Sequence, residues 1–473
     1  MHRAPARAGC GQAAGMPGKV REWVSVPEVR VCAGTVAELC EATGEVLSGV
    51  QGALRQYGEV YGEGGGGAGV PQGMGDLWAS LSEIRVGDQI DNITKRDVKI
   101  LKIAHFGQKN CMTTEGGIEV VVAELAKRQA ALRHDVTCYN RSGHHVSGAE
   151  FDVPKVRQWN GIRMKYVPTI QGKGLSAVSA SFFASLACAL GPYDIVHIHA
   201  EGPAYFAWLP KLFGKKVITE IHGLDWKRAK WGSGLGARFI KKGERNAVRY
   251  SNQIIVLSRN MQKYFENEYG RKTVVIPNGI CRPERHDADV IFKEYGLKEK
   301  EYILFLSRLV KEKGADYLIE AYKQLKTVKK LVIAGGTSDS DGYVRMLKAS
   351  CDGNDKIIFT GFVSGEKLQE LYSNAYLYVL PSDLEGMPIT LLEAMSYGNC
   401  CVVSDISECM EVVEDKAVVF RKGNMEDLRD KLQELCDNPQ KVGAYRERAA
   451  DYICGKYNWN QVTNRILMLY GEG

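Results

Sequence analysis

Pro381-Ser382-Asp383-Leu384-Glu385-Gly386-Met387-Pro388-Ile389-Thr390-Leu391-Leu392-Glu393-Ala394-Met395-Ser396-Tyr397-Gly398 is the stretch whose reading decides the fold. Ahead of it, Ala375-Tyr376-Leu377-Tyr378-Val379-Leu380 is an unbroken apolar run of strand length, and Cys400 to Ser404 is a second one just behind. Strand, acidic Gly-Pro loop, helix, strand is a βαβ unit. Ligands of such units lie outside the carboxyl ends of the strands, where this loop falls. Glu385 sits in the loop and Glu393 about two turns into the helix. Pro388 fits a first helical turn, and the free N–H groups after it attract an anion. Two carboxylates flanking an anion site suit a ligand with hydroxyls at each end and a diphosphate between, such as a nucleotide sugar. Taken alone, the same pair equally suits a helix-capping acid and a solvated helix face.

Size and composition frame that unit. A length of 473 residues accommodates two domains and an extra segment. Hydrophobic content of 45% and charged content of 25% are those of an ordinary soluble globular protein, and a net charge of +6 does not point to nucleic acid. No apolar run reaches the roughly 20 residues that a membrane-crossing helix needs. Arg3 and Arg7 are not followed by an apolar core, so no secretory signal is expected. The 13 cysteines form no C-x-x-C pair, which favours reduced thiols in a cytosolic enzyme over disulfides or zinc.

Residues 1–97 differ in kind from the rest. Val36 to Tyr57 spaces Leu39, Val46, Leu47, Val50 and Leu54 as one helix face, and Gly62 to Gly69 has the composition of a flexible linker. This extension offers no chemistry. From Val98 the pattern becomes regular, with strands expected at Ile100–Ala104, Val136–Tyr139, Ile195–His199, Val217–Ile221 and Ile254–Leu257, and helices between them. After the first strand, Gly116-Gly117-Ile118-Glu119 opens a helix. Paired glycines there let backbone N–H groups approach a phosphate, though a simple tight turn reads the same way. The loop lacks G-x-G-x-x-G, which argues against a nicotinamide cofactor. His222-Gly223 ends another strand and is placed to face a cleft; a structural histidine is the commoner alternative.

Lys227 to Arg249 carries eight basic residues against one acid, with Trp226, Trp231, Leu235, Phe239 and Ile240 interleaved. It suits an anionic membrane surface, an anionic acceptor or simply a solvated helix face. The first domain is expected to span 98–280 and the second 281–455, with 456–473 a helix packing back on the first. In the second domain, strands are expected at Tyr302–Leu306, Lys330–Ala334, Lys356–Thr360 and Ala417–Phe420. Arg308 and Lys313 lie five residues apart in a strand-to-helix loop, where a guanidinium fork and a compact ammonium can clamp a diphosphate from two sides. Asp339-Ser340-Asp341 follows two glycines and precedes a helix, so it reads as turn and cap rather than as a metal site.

Taken together and in this order, Gly116-Gly117-Ile118-Glu119, His222-Gly223, Ser307-Arg308-Leu309 with Glu312-Lys313-Gly314, and the Glu-x7-Glu of Glu385 and Glu393 resemble the retaining glycosyltransferases of family 4, over roughly 98–473. The wording Gly-Gly-Ile-Glu and His-Gly-Leu-Asp-Trp is similar to enzymes of bacterial surface-polysaccharide assembly. The resemblance implies the α/β GT-B fold: two Rossmann-like, doubly wound parallel-sheet domains facing a cleft. It implies transfer of a sugar, with retention of configuration, from a nucleotide-diphosphate sugar to a glycan or lipid-linked saccharide. It further implies no cofactor and no active-site metal. From the residues themselves no nucleic acid is expected and the location is expected to be cytoplasmic, at the inner face of the membrane if Lys227–Arg249 makes the peripheral contact.

Carried over by position, Arg308 and Lys313 are expected to bind the donor diphosphate. Glu385 should contact sugar hydroxyls with N–H groups from Gly386, Met387 and Ile389, beside Thr390, and Glu393 should hold the ribose. Gly116 and Gly117 should let the first domain approach the phosphates, and His222 should reach the sugar near its anomeric carbon. Glu-Gly-Met-Pro stands where many family members have Glu-Gly-Phe-Gly, which puts the donor-sugar pocket in question. A nucleotide-sugar 2-epimerase on the same fold and a non-catalytic sugar-nucleotide binder are the rival readings.

Overall fold

Short runs that are apolar at nearly every position can be buried on both faces only inside a parallel sheet, and two such sheets organise this chain. The computed structural model describes residues 99–471 apart from 146–147, 173, 228–233, 338–340 and 352. The expectations for residues 1–97, for Asp339 and Ser340, and for 228–233 of the 227–249 stretch lie outside the described residues.

The first sheet has eight strands: β1 (Lys102–Phe106), β2 (Asp135–Arg141), β3 (Gln158–Trp159), β4 (Ile162–Val167), β5 (Ile195–His199), β6 (Lys216–Ile221), β7 (Gln253–Val256) and β8 (Val274–Val275). Their order is β3-β4-β2-β1-β5-β6-β7-β8. Every pairing is parallel except that of β3 with β4. Helices α1 (Gly117–Ala131), α2 (Leu175–Leu190) and α3 (Leu235–Tyr250) belong to this lobe. The β3–β4 hairpin turns on Asn160 and Gly161, both at positive φ (47° and 77°), the pairing that a two-residue turn matched to strand twist requires.

The second sheet runs β9 (Tyr302–Leu306), β10 (Lys330–Ala334), β11 (Ile357–Gly361), β12 (Leu377–Leu380), β13 (Cys401–Ser404) and β14 (Val418–Phe420). It is wholly parallel in the order β11-β10-β9-β12-β13-β14. The order reverses between β9 and β12, so the loops leaving those two strands diverge and open a crevice. Those loops are 307–314 and 381–388. They are followed by α4 (Ala315–Lys323) and α5 (Ile389–Ser396). Apolar clusters cover both faces of each sheet. The last helix, α6 (Trp459–Gly471), returns to the first lobe, where Trp459, Val462, Ile466 and Leu469 pack with Ile103, Val136 and Ile218. Burying side chains of this size contributes about 1.5–3 kcal/mol each, enough to hold the chain's end on the lobe it left. Two doubly wound lobes facing a cleft form the GT-B arrangement.

Most strand ends shift by one or two residues from the sequence reading, and two such differences bear on the site. β1 begins two residues later than expected and carries His105 and Phe106 inside it, because pairing with both β2 and β5 sets its ends. α5 begins at Ile389 with Pro388 as its extended cap residue, so Glu393 lies little more than one turn into the helix rather than two.

Candidate active site

A cavity of about 330 Å³ lies between the lobes, within the roughly 300–1,000 Å³ usual for small-ligand clefts. All the sequence-predicted residues line it: Gly116, Gly117 and His222 from the first lobe, and Arg308, Lys313, Glu385, Gly386, Met387, Ile389, Thr390 and Glu393 from the second.

Its floor is built where the two diverging loops cross. Lys313 ends a single 3-10 turn, Lys311–Lys313, closed by Gly314 at φ +69°. A Cβ on Gly314 would stand 2.1 Å from the Pro381 carbonyl oxygen, so only glycine lets the loops cross here. The Asp383 N–H donates to the Glu312 carbonyl at 2.8 Å and laces the loops together. That crossing sets Lys313 Nζ 2.5 Å from Glu385 Oε1, while the Ser382 hydroxyl donates to the same oxygen at 2.7 Å. The Lys313 and Glu385 side chains are 12% and 6% exposed, so the pair is largely shielded yet reachable from the cleft. Arg308 enters the same cavity from the start of its loop.

Glu393 sits deeper. The Tyr372 hydroxyl donates to its Oε2 at 2.9 Å. Burial outweighs that bond and pushes the carboxyl up to about 7. Beside it, the Tyr378 hydroxyl donates to Thr390 Oγ1 at 2.9 Å. The Met387 side chain joins the second lobe's core, its sulfur accepting the Asn278 N–H at 3.1 Å. Met387 thus ties the donor-side loop to the end of the first lobe.

Across the cleft the lobes meet backbone to backbone. A Cβ on Gly386 would lie 1.7 Å from the His222 carbonyl oxygen and 3.0 Å from Gly223 Cα. Gly117 approaches the Ile389 side chain, a Cβ there lying 3.2 Å from Ile389 Cδ1. The His222 side chain is 10% exposed, with Nε2 turned inward to His199 Nδ1 at 3.2 Å.

Several residues of this site had no signal of their own in the sequence. Ser382 and Tyr372 position the two acids, and neither type of residue announces such a task. On the first-lobe wall, Glu115 pairs with Lys109 at 3.1 Å, and Glu119 accepts the Lys109 N–H at 2.8 Å. Both acids face Arg141, whose guanidinium burial holds below its ordinary value. Arg141 ends a strand, and that position alone pointed to a cleft. Phe362 from the second lobe meets His145 and Phe151 of the first, ring centroids 4.7 and 4.9 Å apart.

The basic stretch is corrected by its surroundings. Lys241 does not face outward: it pairs with buried Glu244 at 2.9 Å and stands over the Trp226 ring at 4.5 Å. Burial of Glu244 among aromatic rings draws the ammonium in, and Trp226 follows by donating to the same carboxylate. Arg238, Lys242, Arg245 and Arg249 form the exposed row of α3, with Leu235 82% exposed at its start. No described helix is long and apolar enough to cross a membrane.

Residues 115–281 match the family described as Glycosyltransferase Family 4, and residues 287–452 the family described as Glycosyl transferases group 1. An uncharacterised glycosyltransferase of Methanocaldococcus jannaschii is 26% identical, across 70% of this chain and 90% of its own. The N,N'-diacetylbacillosaminyl-diphospho-undecaprenol alpha-1,3-N-acetylgalactosaminyltransferase of Campylobacter jejuni is 25% identical, across 50% of this chain and 68% of its own. Among solved structures, HepE of Anabaena with UDP-glucose shares the fold. Its TM-score is 0.64 at 17% identity, covering 78% of this chain and 99% of that one.

Proposed function

The chain belongs to this glycosyltransferase family, whose two matched segments it carries in succession, and from that premise we propose that it is a retaining enzyme. Its donor is a nucleotide-diphosphate sugar, and its acceptor a glycan or lipid-linked saccharide of cell-surface polysaccharide synthesis. The observation that carries the reading is the Lys313–Glu385 contact at the crossing of the two loops, with Arg308 and Glu393 in the same cavity. HepE was solved with UDP-glucose, and the Campylobacter enzyme is named for a diphospho-undecaprenol acceptor, which supports both ends of the reaction. Nothing among these relatives favours the epimerase or the non-catalytic binder.

In this reading the diphosphate lies over Lys313 and Arg308. Breaking the sugar–phosphate bond leaves an oxocarbenium-like sugar and a more negative diphosphate, which two fixed cations stabilise more than they stabilise the intact donor. They do the work a divalent metal would otherwise do, so no cofactor is assigned. Glu385 and the N–H groups of Gly386 to Ile389 orient the sugar, Glu393 takes the ribose hydroxyls, and His222 faces the sugar from the other lobe. Closure of the cleft limits loss of the donor to water. What remains of the membrane contact is the exposed row of α3, and sedimentation with anionic vesicles tests it.

Differential scanning with UDP-, GDP- and dTDP-sugars, followed by nucleoside diphosphate release with and without acceptor, tests the whole. A donor at a hundred times its Kd stabilises by about 2.7 kcal/mol. Stabilisation by no nucleotide sugar, or release unaffected by acceptor, rejects the assignment.

Glu393 adds a pH signature. Its pKa of about 7 means that lowering the pH below 7 protonates it, while hydroxyls donating to it need the carboxylate. Donor affinity is therefore expected to weaken about tenfold per pH unit below 7 and to be flat above. A raised carboxyl also costs the empty protein stability above its unfolded pKa, a cost relieved as pH falls through 7. Glu393→Gln should thus stabilise the protein at pH 8 by on the order of 2 kcal/mol, seen as a higher melting temperature, while weakening donor binding and erasing its pH slope. Calorimetry across pH 5.5–8 checks both.

A further inference from the structure

Behind His222 the first lobe buries an unusual row of polar side chains. His199 Nδ1 stands 3.2 Å from His222 Nε2, and His199 Nε2 stands 3.0 Å from His105 Nδ1. His105 Nε2 then meets Gln129 Oε1 at 2.7 Å, and Gln129 Nε2 donates to the Tyr470 hydroxyl at 3.3 Å. The row crosses the lobe from the cleft through β5 and β1 to α1 and α6. His105, His199 and Gln129 are fully buried.

His199, Glu220 and His222 lie close enough together to suggest a metal, as do His105, His197 and His199. Ring geometry decides otherwise. In both the 105–199 and 199–222 pairs the centroids are 5.4 Å apart and the planes within 25° and 28°, while the facing nitrogens are 3.0 and 3.2 Å apart. The rings meet end to end, each nitrogen aimed at the next, which is the geometry of an N–H···N bond. A tetrahedral ion needs lone pairs that converge on a third point.

We propose that Gln129, His105 and His199 are positioning residues that fix the tautomer of His222, leaving its Nδ1 as the proton acceptor. Burial holds His105 and His197 at about 3 and His199 well below its ordinary value, so these rings are neutral. A neutral imidazole has one donor and one acceptor, so each ring in the row dictates the next. Gln129 donates to Tyr470 and therefore presents its oxygen to His105, whose Nε2 must carry the proton. His105 Nδ1 then accepts from His199 Nε2, and His199 Nδ1 accepts from His222 Nε2. In this direction the Tyr470 hydroxyl donates to His197 Nδ1 at 2.7 Å, and the proton of His197 lies on Nε2, which makes no hydrogen bond to Glu220 Oε2 3.3 Å away. The opposite direction requires the Gln129 amide to turn over, its nitrogen then meeting His105 Nε2. A His222 with Nδ1 unprotonated can accept a hydroxyl proton but cannot donate from that atom, which selects how it meets a substrate.

This inference rests on His222 facing the transferred sugar, but its test does not. Long-range proton–nitrogen spectra of histidine-labelled protein, with His222→Asn to assign the signal, read the tautomer without any substrate. The expected result is the Nε2–H form of His222 in the unaltered protein. In Gln129→Met and in Tyr470→Phe, which removes one hydroxyl only, His222 should show mixed or inverted tautomers. The Nδ1–H form in the unaltered protein, or an unchanged His222 in a folded Tyr470→Phe variant, overturns the proposal.

Discussion

Lys313→Ala is expected to lower kcat by about 10²–10³, the usual consequence of removing one preorganised group that stabilises charge developing in the transition state. The ammonium is positioned before any ligand arrives, because the crossing of the two loops presses it onto Glu385 at 2.5 Å. It therefore does not have to reorganise when the leaving diphosphate gains charge. Its loss also leaves Glu385, 6% exposed, with the Ser382 hydroxyl as its partner among the described residues, which costs about 1–3 kcal/mol of stability. The double change Lys313→Ala with Glu385→Gln isolates the stability effect: with the buried charge gone, melting temperature should recover. Steady-state kinetics on the donor decides the matter, and a kcat within about threefold of the unaltered enzyme would remove Lys313 from the chemistry.

Gly386→Ala should be nearly as damaging for a different reason. Its Cβ would fall 1.7 Å from the His222 carbonyl oxygen, closer than any contact tolerates, and the obstructing atom belongs to the other lobe's backbone. No rotamer relieves such a clash; only opening the cleft does. We expect kcat/KM to fall about a hundredfold or more, as misplacing reacting groups by about an ångström does, with melting temperature little changed. Gly223→Ala is the matched control. A Cβ there would sit 3.5 Å from Gly386 Cα, an ordinary contact, and activity should stay within a few-fold. Equal losses in the two variants would show that the approach of the lobes is not what Gly386 permits. X-ray scattering should show only the Gly386→Ala protein more open.

The βαβ reading of residues 375–404 held because its strands are buried on both faces, and such strands must be written in apolar residues throughout. Tyr302–Leu306, Lys330–Ala334 and Ile195–His199 have the bounds expected for the same reason. The β3–β4 hairpin is not among the expected strands although Asn160-Gly161 signals such a turn: its strands lie at the edge of the sheet and carry no continuous apolar run. β1 begins two residues after the start of its apolar run because its ends answer to neighbours on both sides. Lys241 could not be told from Lys242 in a run of charges, since what separates them is Glu244 and a set of rings brought in by folding.

By itself, the sequence determined the two parallel sheets, the cleft residues and the family, because strand burial and loop chemistry are both local in the chain. Only the tertiary structure decided that Glu393 would be hard to ionise, that Gly386 would lie against His222, and that four buried side chains would line up behind it. Each of these depends on distances between atoms far apart in the chain, and desolvation, close contact and hydrogen bonding all act over a few ångströms of space.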